Sequence, residues 1–190
     1  MEFTQQEKKF NDLVMEWNRK INLVSRKKSD VYDLISDSRL FLNFIGTEGS
    51  IKIADIGTGA GFPGIVIAIH RPELMLTLID SINKKVNAVK DIVKRLGLKN
   101  IMVINSRAEA LSEDRKFHKT FDVVTARSVA PLSRLLEWSR DLLKQNGKLI
   151  TLKGGDITAE LREAERLNFV RDFKLKNVNG GKKFVIAEFF

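Results

Sequence analysis

The 190-residue chain has no cysteine, two histidines and three prolines. Without cysteine there are no disulfides, thiolate nucleophiles or cysteine-type zinc sites. His70 and His118 alone leave little material for a histidine metal centre or a Ser-His-Asp triad. No stretch reaches the roughly 18 consecutive apolar residues of a membrane helix. The opening segment, MEFTQQEKKF, puts no apolar run behind its basic residues and does not read as a secretory signal. Repeats and low-complexity tracts are also missing. A cytoplasmic protein with no metal and no membrane association is expected.

What is present is an ordinary globular composition with a basic bias. Hydrophobic residues make up 43% and charged residues 30%, too apolar for disorder. A chain of this length buries roughly 70% of the surface its unfolded form exposes, enough for a real core. The 33 Lys and Arg against 24 Asp and Glu leave a net charge of +9. That balance favours a polyanionic partner, because neutralising phosphates releases counterions; a merely soluble basic surface is the plainer alternative.

Phe10, Leu13, Val14, Trp17, Ile21 and Val24 recur at helical spacing, which predicts one amphipathic helix followed by the basic run SRKKSD. A second helix is expected over 31–44, punctuated by Gly46 and Gly49. From Ile51 apolar strands alternate with helical segments. The strands read 51–56, 74–80, 101–105, 121–126 and 148–153, and the helices 64–71, 83–98, 131–147 and 158–168. Alternating βα units with near-continuous Ile, Val and Leu in the strands predict a parallel sheet covered on both faces. Residues 170–178 and 182–190, around the Asn-Gly turn at 179–181, read as a hairpin that adds an antiparallel strand at the end.

The densest motif is ADIGTGAGFPGI, residues 54–65, with four glycines in eight positions after a strand and before a helix that Pro63 can start. In a doubly wound sheet, ligands bind beyond the carboxyl ends of the strands, where strand order reverses. Phe62 stands where a dinucleotide fingerprint has its last glycine, and no Gly-Lys-Ser/Thr of a P-loop follows. The loop therefore suits a nucleoside without a phosphate chain, with S-adenosylmethionine as the leading candidate; a purely structural tight turn is the alternative. Asp80 ends the second strand 23 residues after Gly57. Its carboxylate can accept both ribose hydroxyls, although a nicotinamide dinucleotide would satisfy it equally and a helix cap would also use it. The loop carrying Arg107, Ala108 and Glu109 closes the third strand, where it would border an adenine. Arg127 ends the fourth strand and needs an anionic partner there.

The chain lacks the Asn/Asp-Pro-Pro-Tyr/Phe signature of enzymes that methylate exocyclic amines, and the cysteine of those that methylate pyrimidine C5. The acceptor that remains is one already nucleophilic at neutral pH, such as guanine N7. Arg19, Lys20, Arg26, Lys27 and Lys28, and the lysines of residues 84–99, supply basic surface for a nucleic acid.

With these residues in hand the chain resembles the RsmG family, also called GidB, of bacterial small-subunit ribosomal RNA methyltransferases. The matching stretches are EWNRKINLVS, ADIGTGAGFPGI, LIDSINKKV, SRAEAL, FDVVTARSVAPL and LITLKGG, in family order. The resemblance implies a class I S-adenosylmethionine-dependent methyltransferase fold, Rossmann-like, with a seven-stranded mostly parallel sheet, an antiparallel C-terminal strand and an N-terminal helical extension. One domain over 1–190 is implied, with the extension at 1–48 and the core at 51–190. The implied activity is methylation of guanine N7 in 16S ribosomal RNA, releasing S-adenosylhomocysteine. Gly57, Gly59, Phe62, Asp80, Ala108, Glu109 and Arg127 fall where the family holds the cofactor, and Arg107 and Arg127 match arginines beside the site. Lys153 joins the basic residues as an RNA contact, and a monomer acting on the RNA or the 30S particle is expected. One departure stands out: the family's His-x-x-Asp-Ser reads LISDS here, with Leu34 in place of the histidine. The other readings left open are a nicotinamide-dependent oxidoreductase and an RNA-binding module of the same fold without activity.

Overall fold

A computed structural model of the chain describes residues 2–46, 50–178 and 180–190. Seven strands form one sheet: β1 (Lys52–Ile56), β2 (Met75–Asp80), β3 (Ile101–Asn105), β4 (Phe121–Arg127), β5 (Leu143–Gly154), β6 (Val170–Val178) and β7 (Lys182–Phe189). Their order is β3-β2-β1-β4-β5-β7-β6, with β7 antiparallel to both of its neighbours and the other pairings parallel. The chain thus winds outward from β1 to β3, then returns to place β4 on the other side of β1. This reversal leaves a crevice at the carboxyl ends of β1 and β4.

One face of the sheet is covered by α1 (Gln5–Asn18), α2 (Tyr32–Arg39), α3 (Gly64–His70) and α4 (Asn83–Leu96). The other carries α5 (Ala108–Glu113), α6 (Leu132–Leu142) and α7 (Thr158–Ala164). A 3-10 turn over Leu40–Phe44 packs Phe41 and Phe44 on Phe184 of β7, each at 4.8 Å between ring centroids. The N-terminal helices therefore continue the layer begun by α3 and α4.

Helix α1 opens with a reciprocal capping box. Thr4 Oγ1 accepts the Glu7 amide at 3.2 Å, and Glu7 accepts the Thr4 amide at 2.8 Å. Glu7 is buried and also binds Arg39 of α2 through both carboxylate oxygens and His70 of α3 at 2.9 Å. One carboxylate thus ties three helices. Burial opposes its charge, but the bonds from Arg39, His70 and Thr4 prevail and hold its pKa down at about 2.

Four elements differ from the sequence reading, and the simplest is α7, expected over 158–168 and ending at Ala164. Helix α1 stops at Asn18 rather than continuing to Val24, because Asn18 Oδ1 accepts the amides of Leu23 and Val24, each at 3.0 Å, and folds the chain back. Ile21 and Val24 still pack on the same core. The second helix is α-helical only to Arg39 and then tightens into the 3-10 turn; Gly49 and the turn residue Asn179 lie outside the described residues. The helix expected over 131–147 ends at Leu142: the Lys119 and Thr120 amides take the Asp141 and Leu142 carbonyls at 2.8 and 3.0 Å. Leu143 then pairs with Phe121, and Asn146 turns the strand at φ +61° before it rejoins β4 at Lys148.

Candidate functional site

The glycine loop follows β1 into the crevice and is organised from below by Asp55. This carboxylate is fully buried; it accepts the hydroxyls of Thr58 at 2.6 Å and Thr125 at 2.8 Å, and the Gly64 amide at 3.1 Å. Burial pushes its pKa up to about 6, against these three bonds and the nearby charge of Arg127. Gly64 must be glycine, since a Cβ there would run into Leu78 and the Asp55 carboxylate. Gly57 takes φ +66°, and a Cβ on it would stand 2.6 and 2.7 Å from the methyl groups of Val129.

Asp80 closes the loop from β2. Its Oδ2 accepts the Gly59 amide and its Oδ1 the Ile82 amide, both at 2.9 Å. Beside it a cavity of about 380 Å³ is lined by Gly57, Gly59, Asp80, Arg107, Ala108 and Glu109, all singled out from the sequence. Ile56, Ile79, Ser81, Ile82, Lys85, Ser106, Ser128, Val129 and Trp138 complete the wall. The volume falls in the range of small-ligand pockets. Its lining combines the apolar Ile56, Ile79, Val129 and Trp138 with carboxylates at Asp80 and Glu109. Ile82 is 48% exposed, an apolar side chain left open at the rim. A nucleoside fits this lining: apolar walls suit a base, and a buried carboxylate suits ribose hydroxyls.

Phe62 and Arg127 do not line this cavity. Phe62 is buried against Phe10, ring centroids 5.0 Å apart. The guanidinium of Arg127 lies over the Phe62 ring at 5.0 Å, with Nη1 3.9 Å from Asp37 Oδ2 of α2. Burial pushes the Arg127 pKa down, opposed by Asp37, Asp55 and Asp33. The next two residues, Ser128 and Val129, do reach the cavity.

The residues singled out as RNA contacts divide. Lys153 is only 10% exposed, and its ammonium donates to the Ala130 carbonyl and the Glu160 carboxylate, each at 2.7 Å. It anchors the segment after β4 instead of offering a free charge. Lys28 pairs with Asp33 at 2.6 Å, which joins the basic run to α2. Lys20 pairs with Glu16 at 3.3 Å and Arg26 donates to Asn22, while Arg19 and Lys27 make no ion pair among the described residues. No cluster of three or more His, Asp and Glu among the described residues stands ready for a metal, and no described helix is long and apolar enough to cross a membrane.

Several contributors went unmarked in the sequence reading. Asp55 and Thr58 lie within the quoted glycine stretch, and their signal is the acid preceding the first glycine. Ser81 and Ile82 directly follow Asp80, and Ser128 and Val129 directly follow Arg127. Trp138 had no signal, because it sits at ordinary apolar spacing in α6.

Comparison with known proteins gives a consistent result. Residues 4–185 match the GidB family, described as rRNA small subunit methyltransferase G. A Ribosomal RNA small subunit methyltransferase G of Lactococcus lactis is 36% identical over 95% of this chain and 80% of its own length. One from Desulforamulus reducens is 36% identical over 95% and 79%, and one from Clostridium perfringens 37% over 89% and 72%. Among solved structures, a SAM dependent methyltransferase from Aquifex aeolicus superposes with a TM-score of 0.62 at 20% identity, covering 81% of this chain and 90% of its own. A predicted O-methyltransferase from Agrobacterium tumefaciens reaches 0.68 at 17% identity, over 80% of both chains. The fold is that of the class I methyltransferases, and the chain belongs to the rRNA small subunit methyltransferase G family.

Proposed function

We propose that this protein methylates N7 of a guanosine in small-subunit ribosomal RNA, using S-adenosylmethionine, in the cytoplasm and as a single domain over 1–190. The observation that carries the reading is the convergence of Gly57, Gly59, Asp80, Ala108 and Glu109 on one cavity at the switch point of the sheet, in a chain of this family. Asp80 would accept the ribose hydroxyls, and the apolar wall with Ile82 would hold the adenine. When bound, S-adenosylmethionine supplies an electrophilic methyl group on a positively charged sulfur, which keeps the electron pair of the breaking bond and leaves as S-adenosylhomocysteine.

The guanine N7 lone pair forms the new bond and no proton leaves, so no general base is needed. Proximity and alignment then supply most of the acceleration. This agrees with a site in which Asp55 and Asp80 have their oxygens engaged by hydroxyl and amide groups of the chain itself. Arg127, held over Phe62 beside the loop, faces the acceptor in this reading, and the basic residues around α1 and its following loop guide the RNA. Glycine loops and acidic residues of this kind also serve dinucleotides, but the loop lacks the third fingerprint glycine, and Phe62 at that position is buried against Phe10.

The test is transfer of labelled methyl groups to intact 30S particles, assembly intermediates and naked small-subunit RNA, with calorimetric titration of S-adenosylmethionine and of NAD. Transfer to at least one RNA substrate and binding of the methyl donor are expected. Arg127→Ala should lower transfer at least roughly tenfold, the cost of losing a charged hydrogen-bonding partner, with the fold intact. Binding of NAD without the methyl donor would overturn the assignment, and donor binding with no transfer to any of the three substrates would favour a module without activity.

A further inference from the structure

Arg127 and Asp37 are mostly buried and only partly satisfied. Their side chains are 14% and 17% exposed, with Nη1 and Oδ2 3.9 Å apart. That contact is longer than a hydrogen bond, and the Arg127 guanidinium donates none among the described residues. Asp37 Oδ2 is held by Lys182 of β7 at 2.6 Å, while its Oδ1 accepts nothing among the described residues. The Phe62 ring under the guanidinium and the Lys182 ammonium on the carboxylate fix both groups in place. A charged donor and a charged acceptor thus stand side by side, the guanidinium without a hydrogen bond and the carboxylate with one oxygen open, and Arg127 directly precedes Ser128 of the cofactor cavity wall. Partly buried charged groups with open hydrogen-bonding positions suit a ligand carrying an acceptor next to a donor.

Resting on the reading above, we propose that Arg127 and Asp37 are the pair that specifies guanine. Arg127 donates to O6, and Asp37 accepts from the adjacent N1–H. Adenine presents the reverse order on that edge, a donor at the exocyclic amine and an acceptor at N1, and is rejected by both residues. The assignment also respects the chemistry. A donor on N7 would occupy the lone pair that must form the bond to the methyl group, so recognition has to use the edge beyond O6. Methylation leaves the base positively charged, and Asp37 offsets the charge that Arg127 alone would set against it.

The test uses small-subunit RNA fragments in which the target guanosine is replaced by inosine or by 2-aminopurine. Inosine retains O6, N1–H and N7; 2-aminopurine retains N7 but has neither O6 nor N1–H. For the unaltered enzyme, inosine should be methylated within roughly tenfold of guanosine, and 2-aminopurine at least roughly 30-fold less efficiently, the loss expected of unpaired charged groups. Asp37→Asn should lower kcat/KM for guanosine and raise the ratio of 2-aminopurine to guanosine, because its amide donates to the bare N1. Its affinity for S-adenosylmethionine should stay unchanged. Equal rates on guanosine and 2-aminopurine by the unaltered enzyme would overturn the inference, as would an Asp37→Asn enzyme in which both substrates fall by the same factor. Failure to methylate guanosine in 30S particles, assembly intermediates and naked RNA alike takes down the proposed function itself; methylation of guanosine without discrimination takes down only this pair.

Discussion

Asp80 Oδ2 accepts the backbone amide of Gly59 at 2.9 Å, across the 21 residues that separate the glycine loop from the end of β2. One carboxylate therefore sets the shape of the loop and faces the cavity. In Asp80→Asn the amide oxygen can keep one of the two backbone bonds, to Gly59 or Ile82, and loses its charge. The affinity for S-adenosylmethionine should fall roughly tenfold or more, in line with the worth of hydrogen bonds to charged groups, as calorimetry would read it. An unchanged dissociation constant would remove Asp80 from the ribose site.

Gly57 is tied to Val129 by space. Alanine at 57 would adopt a left-handed conformation that costs roughly 1–2 kcal/mol for a residue with a Cβ. It would also push on the Val129 methyls, 2.6 and 2.7 Å from the new carbon. Gly57→Ala should lower the melting temperature by several degrees and weaken cofactor binding. The double variant Gly57→Ala, Val129→Ala should recover part of the stability, a coupling that a double-mutant cycle measures. Strict additivity would show that the two residues do not meet.

Glu7 predicts an acid-sensitive contribution to stability. Its folded pKa, about 2, lies below the ordinary 4.5. The folded state therefore binds this proton less readily than the unfolded one, so the stabilisation is fully present above about pH 4.5 and is lost as pH falls toward 2. Glu7→Gln leaves Arg39 and His70 without their carboxylate. It should cost about 3 kcal/mol near neutral pH, the usual cost of breaking a buried ion pair, and should flatten the acid limb of a denaturation series. An unaltered limb would place the acid sensitivity elsewhere.

Much of the fold was legible because periodicity and burial agree. Strands such as β2 are buried on both faces, and α4 repeats Val86, Val89, Val93 and Leu96 toward the core. Reading failed where a single polar contact outweighed periodicity. Asn18 ends α1 although Ile21 and Val24 continue its apolar rhythm. Leu143 leaves α6 for the sheet because Phe121 offers it a strand partner. In the site, residues next to a glycine or at a strand end announced themselves. The setting of Arg127 did not: Asp37 lies 90 residues earlier in the sequence, and the Lys182 that holds Asp37 lies on β7, the last strand of the chain. Lys153 shows the opposite error, a basic residue that looks free in sequence but is held by Ala130 and Glu160.

Mapping the modified nucleotide reads N7 transfer itself. Small-subunit RNA treated with the enzyme and S-adenosylmethionine would be digested and analysed by mass spectrometry, with borohydride reduction and aniline cleavage to distinguish N7-methylguanosine from other methylated bases. The expected result is one guanosine that gains a methyl group at N7 and becomes the single new cleavage site. A methyl group on an exocyclic amine, on a pyrimidine or on a ribose, with no N7-methylguanosine formed, would rule out guanine N7 as the acceptor.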